Sequence, residues 1–539
     1  MNIIEKQNDT LVVRFRYDPA IVVAMRSLPA RSWNKELKQW EVPFQYVFDV
    51  VRTLQEFDFQ VEESVIAEAK KENEFKQSVT FEGFKTNLPL FPYQKAGVEF
   101  LLKAGSGILA DEPGLGKSLQ ALAMCEYLQA QKILVLCPAS LKFNWLSECE
   151  KWLPVPQVKV QVINGTPAER KEQWKNPSIN FFIANYDLLL KDFDAMNSHN
   201  WDVIISDEST AICNPRAKRT KVIKKLKAKY KFALSGTPIS NKLHDLWSIV
   251  DFVRPGTWGS YYQFENRYCI KDFWGSVKGY KNTDELKQSL TNFMIRRRKE
   301  DVLPDLPPKL VTEVKFELSG PERELYDKMK KALKTELFGK IDEEKVFNIE
   351  NAMIKVLRLK QMVDHPRLVG STLPSRKLET LKDILRPIIE SGNKVIVFSQ
   401  FAQMCKLLMF ELSEHNPVTI IGEMKAEDRN ASVRKFTESP NCQLMICSEA
   451  GAYGLNLQVA NYVIHVDLPW SVSKLVQREG RAHRIGTQKP VTVYSLIGAK
   501  TVDEYVARVL LKKQKLSDEF LEDSRVVTVD DIKEILEDE

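Results

Sequence analysis

The sequence predicts an α/β protein that has two parallel-sheet lobes with helical insertions and a small N-terminal α+β domain. Three observations lead to this prediction. Short β-rich runs alternate with amphipathic stretches from residue 81 to 254, and the same alternation returns after residue 375. The stretch between them is mainly helical in its pattern. The first 60 residues show strand and hairpin patterns of their own. Strands that are separated by helices are typical of a parallel sheet covered on both faces.

The N-terminal region, residues 1 to 60, predicts the small domain. LVVRFRYD alternates between apolar and polar residues as a strand does, and AIVVAMRSL has a short helix pattern. WNKELKQWEVP predicts a hairpin with a tryptophan on each arm. Residues 61 to 80 are charged and helical in pattern, and we expect them to form a linker helix.

Each lobe is predicted from its run of strands. In residues 81 to 254 the predicted strands are GILA, KILVLCP, VKVQVIN, NFFIANY, DVIISDE and KFALSG. In residues 375 to 516 they are KVIVFSQ, PVTIIG, CQLMICS, NYVIHVD and VTVYSLI. Residues 255 to 374 predict a helical insertion with protrusions and the link between the lobes. Residues 517 to 539 form an acidic tail with ten acidic and two basic residues.

Bulk composition points to a globular intracellular protein. Of 539 residues, 44% are hydrophobic and 28% charged, and no apolar run approaches the length of a membrane span. The eight cysteines and six histidines are scattered without a CxxC pair, which predicts reduced thiols and no zinc site. We expect a cytoplasmic monomer that does not bind membranes. The compact sequence, without long tails or histone-reading modules, favours a bacterial or phage source.

A glycine-rich loop follows the first strand of the first lobe. ILADEPGLGKS leads from a strand into a helix, and glycines in that position let backbone N–H groups surround phosphate oxygens. Lys117 would reach the phosphates, and Ser118 would hold Mg²⁺. Asp111 stands where the usual pattern has its first glycine, so this is a variant. The residues that we expect to contact the nucleotide here are Asp111, Glu112, Gly114, Leu115, Gly116, Lys117 and Ser118.

Two carboxylates follow a buried strand further along the same lobe. In DVIISDEST, Asp207 can hold the Mg²⁺ shell and Glu208 can orient an attacking water molecule. Downstream of the glycine loop in one α/β unit, this pair predicts ATP hydrolysis. The cofactors that we expect are ATP and Mg²⁺.

Hydrolysis also needs positive charge on the far side of the γ-phosphate, because arginine there stabilises the transition state. QREGRAHRIGTQ offers Arg481 and Arg484, which we expect on one face of a helix since they are three residues apart. Closure of the two lobes on ATP and their opening after hydrolysis would constitute a motor cycle.

A basic stripe of nine cations and no acids runs from residue 216 to 231. Two interpretations stay open, namely a track for phosphates and a solvated helix face.

The ordered motifs resemble those of the Swi/Snf-type ATPases, DNA translocases of helicase superfamily two with RecA-like lobes. They include LFPYQKAGVEFL, LADEPGLGKS, LCPASLKFNW, SDEST, LSGTPISN, LRLKQMVDHPRL, VIVFSQF, CSEAGAYGLNLQ, HVDLPW and QREGRAHRIGTQ, over about residues 85 to 515. Thr210, Cys213 and Pro113 depart from the residues that the family commonly has at those places.

The resemblance implies further residue roles. Gln94 would contact adenine, while Gly454 and Gln477 would complete the nucleotide site. Lys117, Asp207, Glu208, Arg481 and Arg484 would carry catalysis. Ser235, Gly236 and Thr237 would couple hydrolysis to lobe movement. The expected DNA-binding residues are Lys142, Arg216, Lys218, Arg219, Ser399, Gln400, Asn456 and Trp470.

The resemblance also implies the partner. Such motors mostly move along double-stranded DNA and contact its phosphates without reading sequence. Residues 1 to 60 are similar to the HARP domain of annealing helicases, which predicts action on forked DNA or bubbles. Single-stranded-DNA-binding and replication or repair proteins are candidate partners. A plain accessory domain whose tryptophans fill its core is the alternative for this region.

Two other functions stay open at this point. One is a helicase that separates DNA or RNA strands. The other is a non-catalytic, DNA-bound scaffold in which bound ATP supports the structure and is not hydrolysed. The complete set of catalytic residues favours the translocase over the scaffold.

Overall fold

The computed structural model describes residues 2–7, 10–28, 31–80, 86, 88–153, 158–236, 243–271, 277–338, 349–449, 455 and 457–519. The chain divides into two compact units, of which the first holds the N-terminal domain and the first lobe and the second holds the other lobe. The predicted fold class is confirmed, since both lobes are built on parallel sheets.

The N-terminal domain is a five-stranded sheet with three helices. Its strand order is β3-β4-β2-β1-β5, and the hairpin pairs Trp33 with Trp40. Val65 and Ala69 of α3 belong to its core, so the helix predicted as a linker packs as part of this domain. The elements are β1 (Ile3–Gln7), β2 (Thr10–Arg14), α1 (Pro19–Ser27), β3 (Ser32–Asn34), β4 (Gln39–Pro43), α2 (Val47–Leu54), β5 (Gln60–Val61) and α3 (Glu63–Ser78).

The first lobe contains all six predicted strands. Its elements are α4 (Pro92–Ala104), β6 (Gly107–Leu109), α5 (Lys117–Tyr127), β7 (Ile133–Cys137), α6 (Lys142–Trp152), β8 (Val160–Val162), α7 (Pro167–Lys175), β9 (Phe181–Asn185), α8 (Leu188–Lys191), α9 (Phe193–Asn197), β10 (Trp201–Asp207), α10 (Lys218–Ile223), β11 (Ala228–Leu234), α11 (Asp245–Val253), α12 (Tyr261–Tyr268), β12 (Cys269–Lys271), β13 (Val277–Tyr280), α13 (Thr283–Leu290) and β14 (Met294–Ile295).

The first-lobe sheet has the order β14-β6-β11-β10-β7-β9-β8, and its described pairings are all parallel. The central strands are buried on both faces, which explains why their sequences read as continuous apolar runs. All carboxyl ends therefore lie at one edge of the sheet, where α/β proteins bind their ligands.

The second lobe is a six-stranded parallel sheet of order β15-β20-β19-β16-β18-β17. Its elements are α14 (Lys299–Val302), β15 (Lys309–Phe316), α15 (Gly320–Phe338), α16 (Ile349–Asp364), α17 (Arg376–Glu390), β16 (Val395–Ser399), α18 (Ala402–Glu411), β17 (Val418–Ile420), α19 (Ala426–Glu438), β18 (Leu444–Ser448), β19 (Tyr462–His465), α20 (Val472–Glu479), β20 (Val491–Gly498) and α21 (Val502–Glu519).

The predicted insertion at residues 255 to 374 is divided between the two lobes. Strand β14 extends the first sheet beside β6, and β15 pairs with β20 over eight residues of the second sheet. Helix α16 contributes Val356, Leu359 and Met362 to the second-lobe core. The helical pattern is real over much of this segment, but the segment completes both lobes instead of forming a separate insertion.

The helices and the cysteines bear on the expected class of protein. Within the described ranges, no helix is both long and apolar enough to cross a membrane. The eight cysteines are free thiols, and all but Cys213 are buried. The acidic segment from residue 520 to 539 lies outside the described residues.

Candidate nucleotide-binding site

The first-lobe sheet places three motifs side by side at its carboxyl edge. In the strand register, Leu109 of β6 pairs with Leu234 of β11, and Leu234 pairs with Asp207 of β10. Neighbouring strands are about 4.8 Å apart, so the ends of β6 and β10 lie about 10 Å from each other. The glycine loop, the Ser235–Gly236 segment and the acidic pair thus begin at the same level.

The glycine loop has backbone conformations that only glycine adopts easily. Gly114 has φ +94° and Gly116 has φ +75°, and α5 begins immediately after Gly116. A Cβ atom at Gly116 would overlap the amide of Gln94, which is buried on α4. The Gln94 amide oxygen accepts a hydrogen bond from Phe91 N at 2.9 Å. Gln94 is therefore held directly against the loop.

Lys117 is folded over the same loop. Its ammonium donates to the carbonyl oxygen of Asp111 at 2.8 Å and to that of Glu112 at 3.4 Å. A charged donor gains more from ionised oxygens than from carbonyls, so phosphate oxygens at this position would be stronger partners. The positive end of α5 adds to the attraction of an anion. The loop therefore has the donor set that a polyphosphate requires.

Asp111, which we expected to contact the nucleotide, has a side chain with partners inside the first lobe. Its carboxylate is fully buried and faces the lobe interior, where it binds the guanidinium of Arg297 and the amide of Gln120 at 3.0 Å. Only its backbone carbonyl faces Lys117. The side chain that replaces the first glycine of the usual pattern therefore anchors the loop to Gln120 and Arg297.

Arg297 connects this carboxylate to α4. Its Nε lies 2.9 Å from Asp111 Oδ1, its Nη2 lies 2.8 Å from Gln120 Oε1, and it also donates to the carbonyl of Tyr93. Gly97 makes room for the cluster, because a Cβ there would overlap both the guanidinium and the Gln120 amide. Burial raises the pKa of Tyr93, and the nearby negative charge of Asp111 raises it further. The Tyr93 ring lies 5.2 Å from the guanidinium carbon of Arg297.

We expect Arg297→Leu to weaken nucleotide binding at least about tenfold and to lower the unfolding free energy by about 3 kcal/mol, because it leaves the Asp111 carboxylate buried without its cation. Titration with a fluorescent ATP analogue and denaturant unfolding measure the two effects. Arg170→Leu is the control, since Arg170 forms a largely buried ion pair with Asp192 in the same lobe. An unchanged nucleotide affinity in Arg297→Leu would refute the role of this cluster.

The acidic pair is oriented by aromatic donors. Asp207 Oδ2 accepts from Trp145 Nε1 at 2.8 Å, and its backbone oxygen accepts from the Tyr186 hydroxyl at 2.6 Å. Burial raises the pKa of Tyr186, so its hydroxyl stays a donor. Glu208 has φ +49°, which is uncommon for a residue with a Cβ and is found at functional turns.

The predicted coupling and DNA residues of the first lobe have different surroundings. Ser235 N donates to the carbonyl of Leu109 at 3.1 Å, whereas Thr237 lies outside the described residues. The prediction for Lys142 does not fit the structure, because its ammonium is buried and donates to Ile163 O at 3.1 Å. The expected DNA contacts that are exposed here are Arg216, Lys218 and Arg219.

The predicted arginine helix of the second lobe ends earlier than expected. Helix α20 stops at Glu479, so Arg481 and Arg484 lie in the turns that follow it and helical spacing does not relate them. Arg481 O accepts from Leu457 N at 3.1 Å, and Arg484 O accepts from Thr487 N at 3.0 Å. Both arginines are half-buried on a fixed backbone. Gln477 is buried on α20.

Ser399 and Gln400, two of the expected DNA contacts of the second lobe, both donate to the buried carboxylate of Asp467. Asp467 accepts from the Ser399 hydroxyl and from Gln400 N at 2.9 Å, and it pairs with Arg478 at 3.5 Å. Burial alone would raise the pKa of Asp467, but Arg478 and the other donors hold it below its usual value. Ser399 is fully buried, so its hydroxyl positions the loop at the end of β16 and does not face a ligand.

Trp470, Gly454 and Asn456 are the other predicted site residues of the second lobe. Trp470 is half-buried and packs on the lobe core. Gly454 and Asn456 lie outside the described residues.

Several residues that build the site were missed from the sequence. Arg297, Gln120 and Trp145 orient the loop and the acidic pair, and Asp467 orders the end of β16. Trp145 and Asp467 lie within motifs that were noticed, but their roles depend on long-range contacts. Arg297 had no local signal, since an arginine in RRRK also fits a solvated surface.

The fold and site define a P-loop protein with two parallel-sheet lobes. A model of the SNF2-related domain matches residues 93–368, and a model of the helicase conserved C-terminal domain matches residues 376–486. The chain belongs to the SNF2-related family. The predicted Swi/Snf-type membership is thereby confirmed, whereas the HARP likeness of residues 1 to 60 stays a prediction.

Relatives and a solved structure show similarity over most of the chain. A protein of Mycoplasma genitalium described as an uncharacterized ATP-dependent helicase is 32% identical over 79% of this chain and 41% of its own length. The mouse SWI/SNF-related matrix-associated actin-dependent regulator of chromatin subfamily A member 1 is 29% identical over 88% of this chain and 47% of its own length. The chain thus spans less than half of these curated relatives.

Among solved structures, the Sulfolobus solfataricus SWI2/SNF2 ATPase core in complex with double-stranded DNA is 31% identical. The match covers 84% of this chain and 98% of that one, with a TM-score of 0.40.

Proposed function

We propose that this protein is a DNA-dependent ATPase that moves along duplex DNA and can rewind forks or bubbles. The observation that supports this most is the common level of Leu109, Leu234 and Asp207 at the carboxyl edge of the first-lobe sheet. This register brings a phosphate loop, a conformational coupling segment and an acidic pair to one place. Membership of the SNF2-related family supports the assignment.

In the proposed mechanism the residues of the first lobe bind and orient the reactants. Lys117 exchanges its carbonyl partners for phosphate oxygens, and the loop N–H groups bind the remaining ones. Ser118 and Asp207 supply hard oxygen ligands that suit Mg²⁺, which would neutralise phosphate charge when bound. Glu208 accepts a hydrogen bond from the attacking water. Arg481 and Arg484 would stabilise the negative charge that develops as water attacks the γ-phosphate and its bond to the leaving ADP breaks.

The proposed partner is duplex or forked DNA, contacted through its phosphates. The exposed cations Arg216, Lys218 and Arg219 support this in the first lobe. In the N-terminal domain, Tyr17 is 80% exposed and Trp33 is 47% exposed. Trp33 therefore does not simply fill the domain core, and exposed aromatic rings can stack on unpaired bases. This supports the finer proposal of action at junctions between single and double strands.

We expect duplex and forked DNA to raise ATP turnover at least about tenfold, equivalent to about 1.4 kcal/mol in the activation barrier. Steady-state ATPase rates with single-stranded DNA, duplex, fork and RNA measure this response. Displacement of a triplex strand without separation of the duplex would identify translocation. Equal turnover with no nucleic acid and with every nucleic acid would refute a DNA-dependent motor.

Trp33→Ala provides the comparison for the finer proposal within the same assay. It should reduce the response to forks more than the response to blunt duplex. Tyr262→Ala is the matched control, because Tyr262 is 70% exposed in the first lobe and has no proposed role. An identical fork response in both variants would remove the rewinding proposal and leave the translocase proposal intact.

A further inference from the structure

The N-terminal domain and the first lobe, which belong to the same compact unit, enclose a cleft of about 320 Å³. We call it the lysine cleft. The N-terminal domain contributes Lys6 and Lys76, and the first lobe contributes Lys225, Lys227, Lys229 and Lys231. The Tyr46 hydroxyl joins its two walls by donating to Pro255 O at 3.0 Å.

The lining of the lysine cleft is strongly unbalanced in charge. Eight cationic side chains line it, and among the described lining residues Glu68 is the one carboxylate. Glu68 is already paired with Lys6, and Lys224 is paired with Asp251, which does not line the cleft. Like charges that are held close together repel each other and cost stability. A polyanion bound in the cleft would offset this repulsion.

The cations form a row and do not converge on one point. Lys227 immediately precedes β11, and Lys229 and Lys231 follow on the strand at every second residue. The three positions span about 13 Å at about 3.3 Å per residue. One nucleic-acid strand places a phosphate about every 3.4 Å along its axis, so the row would face about four phosphates. Lys225 and Lys229 are exposed, as is Lys227. This arrangement suits a sugar-phosphate backbone better than a single small anion.

The position of the row separates it from the nucleotide site. The lysine cleft lies at the amino end of β11, whereas Ser235 and the glycine loop lie at the carboxyl edge of the sheet. From Lys229 to Ser235 the strand rises about 20 Å. Lys76 approaches from α3 and lies over Gly105, where a Cβ atom would come within 3.2 Å of its ammonium. The basic stripe thus continues onto the N-terminal domain and away from the ATP site.

We propose that the lysine cleft binds the sugar-phosphate backbone of a nucleic-acid strand, as a second site between the N-terminal domain and the first lobe. The identity of the anion as nucleic acid rests on the proposed function. The cleft would hold one segment of the DNA, such as one arm of a fork, while another segment is engaged near the nucleotide site. Recognition would depend on charge and would carry no sequence preference.

The test is the salt dependence of DNA binding by the full chain without nucleotide. The triple variant Lys225→Gln, Lys227→Gln, Lys229→Gln should reduce the slope of log affinity against log salt by about 3 for duplex and about 2 for a single strand. The control changes Lys159, Lys171 and Lys191 to glutamine, which are exposed first-lobe lysines outside the cleft. It removes the same charge and should leave the slope unchanged.

Two outcomes would overturn the proposal. One is a slope for the cleft variant that equals that of the control. The other is loss of inorganic tripolyphosphate binding with unchanged DNA binding, which would assign the cleft to a free polyanion. The proposed function is judged separately, by whether DNA stimulates ATP turnover in the unmodified protein and in the control variant.

Discussion

Replacement of Lys117 by alanine should abolish measurable ATP turnover, with a decrease of about 10² to 10⁴-fold. The ammonium is held inside the glycine loop by two carbonyls that phosphate oxygens would replace. Hydrogen bonds to charged groups contribute about 1.5–3 kcal/mol each, and the lysine would contact two phosphates. A loss of about 3–6 kcal/mol in the transition state corresponds to the stated decrease in rate. Phosphate release with and without DNA measures it.

Two comparison variants make this result specific. Lys171→Ala removes an exposed lysine of the same lobe and should turn over ATP normally. Arg484→Ala should bind a fluorescent ATP analogue with nearly unchanged affinity while its hydrolysis slows, because a finger arginine acts mainly on transition-state charge. Turnover by Lys117→Ala within a factor of about three of the unmodified protein would contradict the nucleotide site. Normal turnover by Arg484→Ala would contradict the finger assignment alone.

Local patterns predicted the strands well, because each is a short apolar run of fixed length between polar breaks. All eleven runs singled out in the two lobes are strands, and their parallel pairing follows from the helices between them. The same reasoning predicted that Lys117 and Asp207 each follow a strand of one α/β unit. Neither step required knowledge of a distant contact.

Contacts between distant residues set the limit of sequence reasoning. Asp111 and Arg297 are separated by 186 positions, and only the sheet brings β14 beside β6. From the sequence alone, Asp111 was therefore predicted to contact the nucleotide. In the structure its buried carboxylate binds Arg297 and Gln120. Lys142 was predicted to contact DNA for a similar reason. The local sequence does not distinguish an exposed lysine from a buried one whose ammonium donates to a backbone carbonyl, as Lys142 does to Ile163.

The predicted limits of residues 255 to 374 and of the helix that contains Arg478 differ from the structure for a related reason. The segment from residue 255 to 374 has helical periodicity over most of its length, which hides the short strand β14 and the edge strand β15. Gly480 ends α20 before Arg481, although the preceding residues have a strongly amphipathic pattern. A single glycine can end a helix or be tolerated within it, and only the tertiary contacts decide.

The second lobe contains a buried charged cluster that was not predicted from the sequence, although Asp364 lies within the motif LRLKQMVDHPRL. The ammonium of Lys377 on α17 lies 2.7 Å from Asp364 of α16 and 2.7 Å from Asp503 of α21, and all three are buried. Burial raises the pKa of Asp364. Burial alone would lower the pKa of Lys377, but Asp364 and Asp503 raise it and keep the ammonium charged. One cation thus ties three helices together beneath β20.

Lys377→Met should lower the unfolding free energy of the second lobe by about 3–5 kcal/mol, because two buried carboxylates lose their shared cation. Denaturant unfolding measures the change. Lys382→Met on the same helix is the matched control and should cost less than about 1 kcal/mol, since its pair with Glu411 is partly exposed at 3.6 Å. Adding Asp364→Asn and Asp503→Asn to Lys377→Met should restore part of the stability, because the neutral amides no longer need a buried counter-charge. If Lys377→Met and Lys382→Met unfold alike, the cluster does not hold the three helices together.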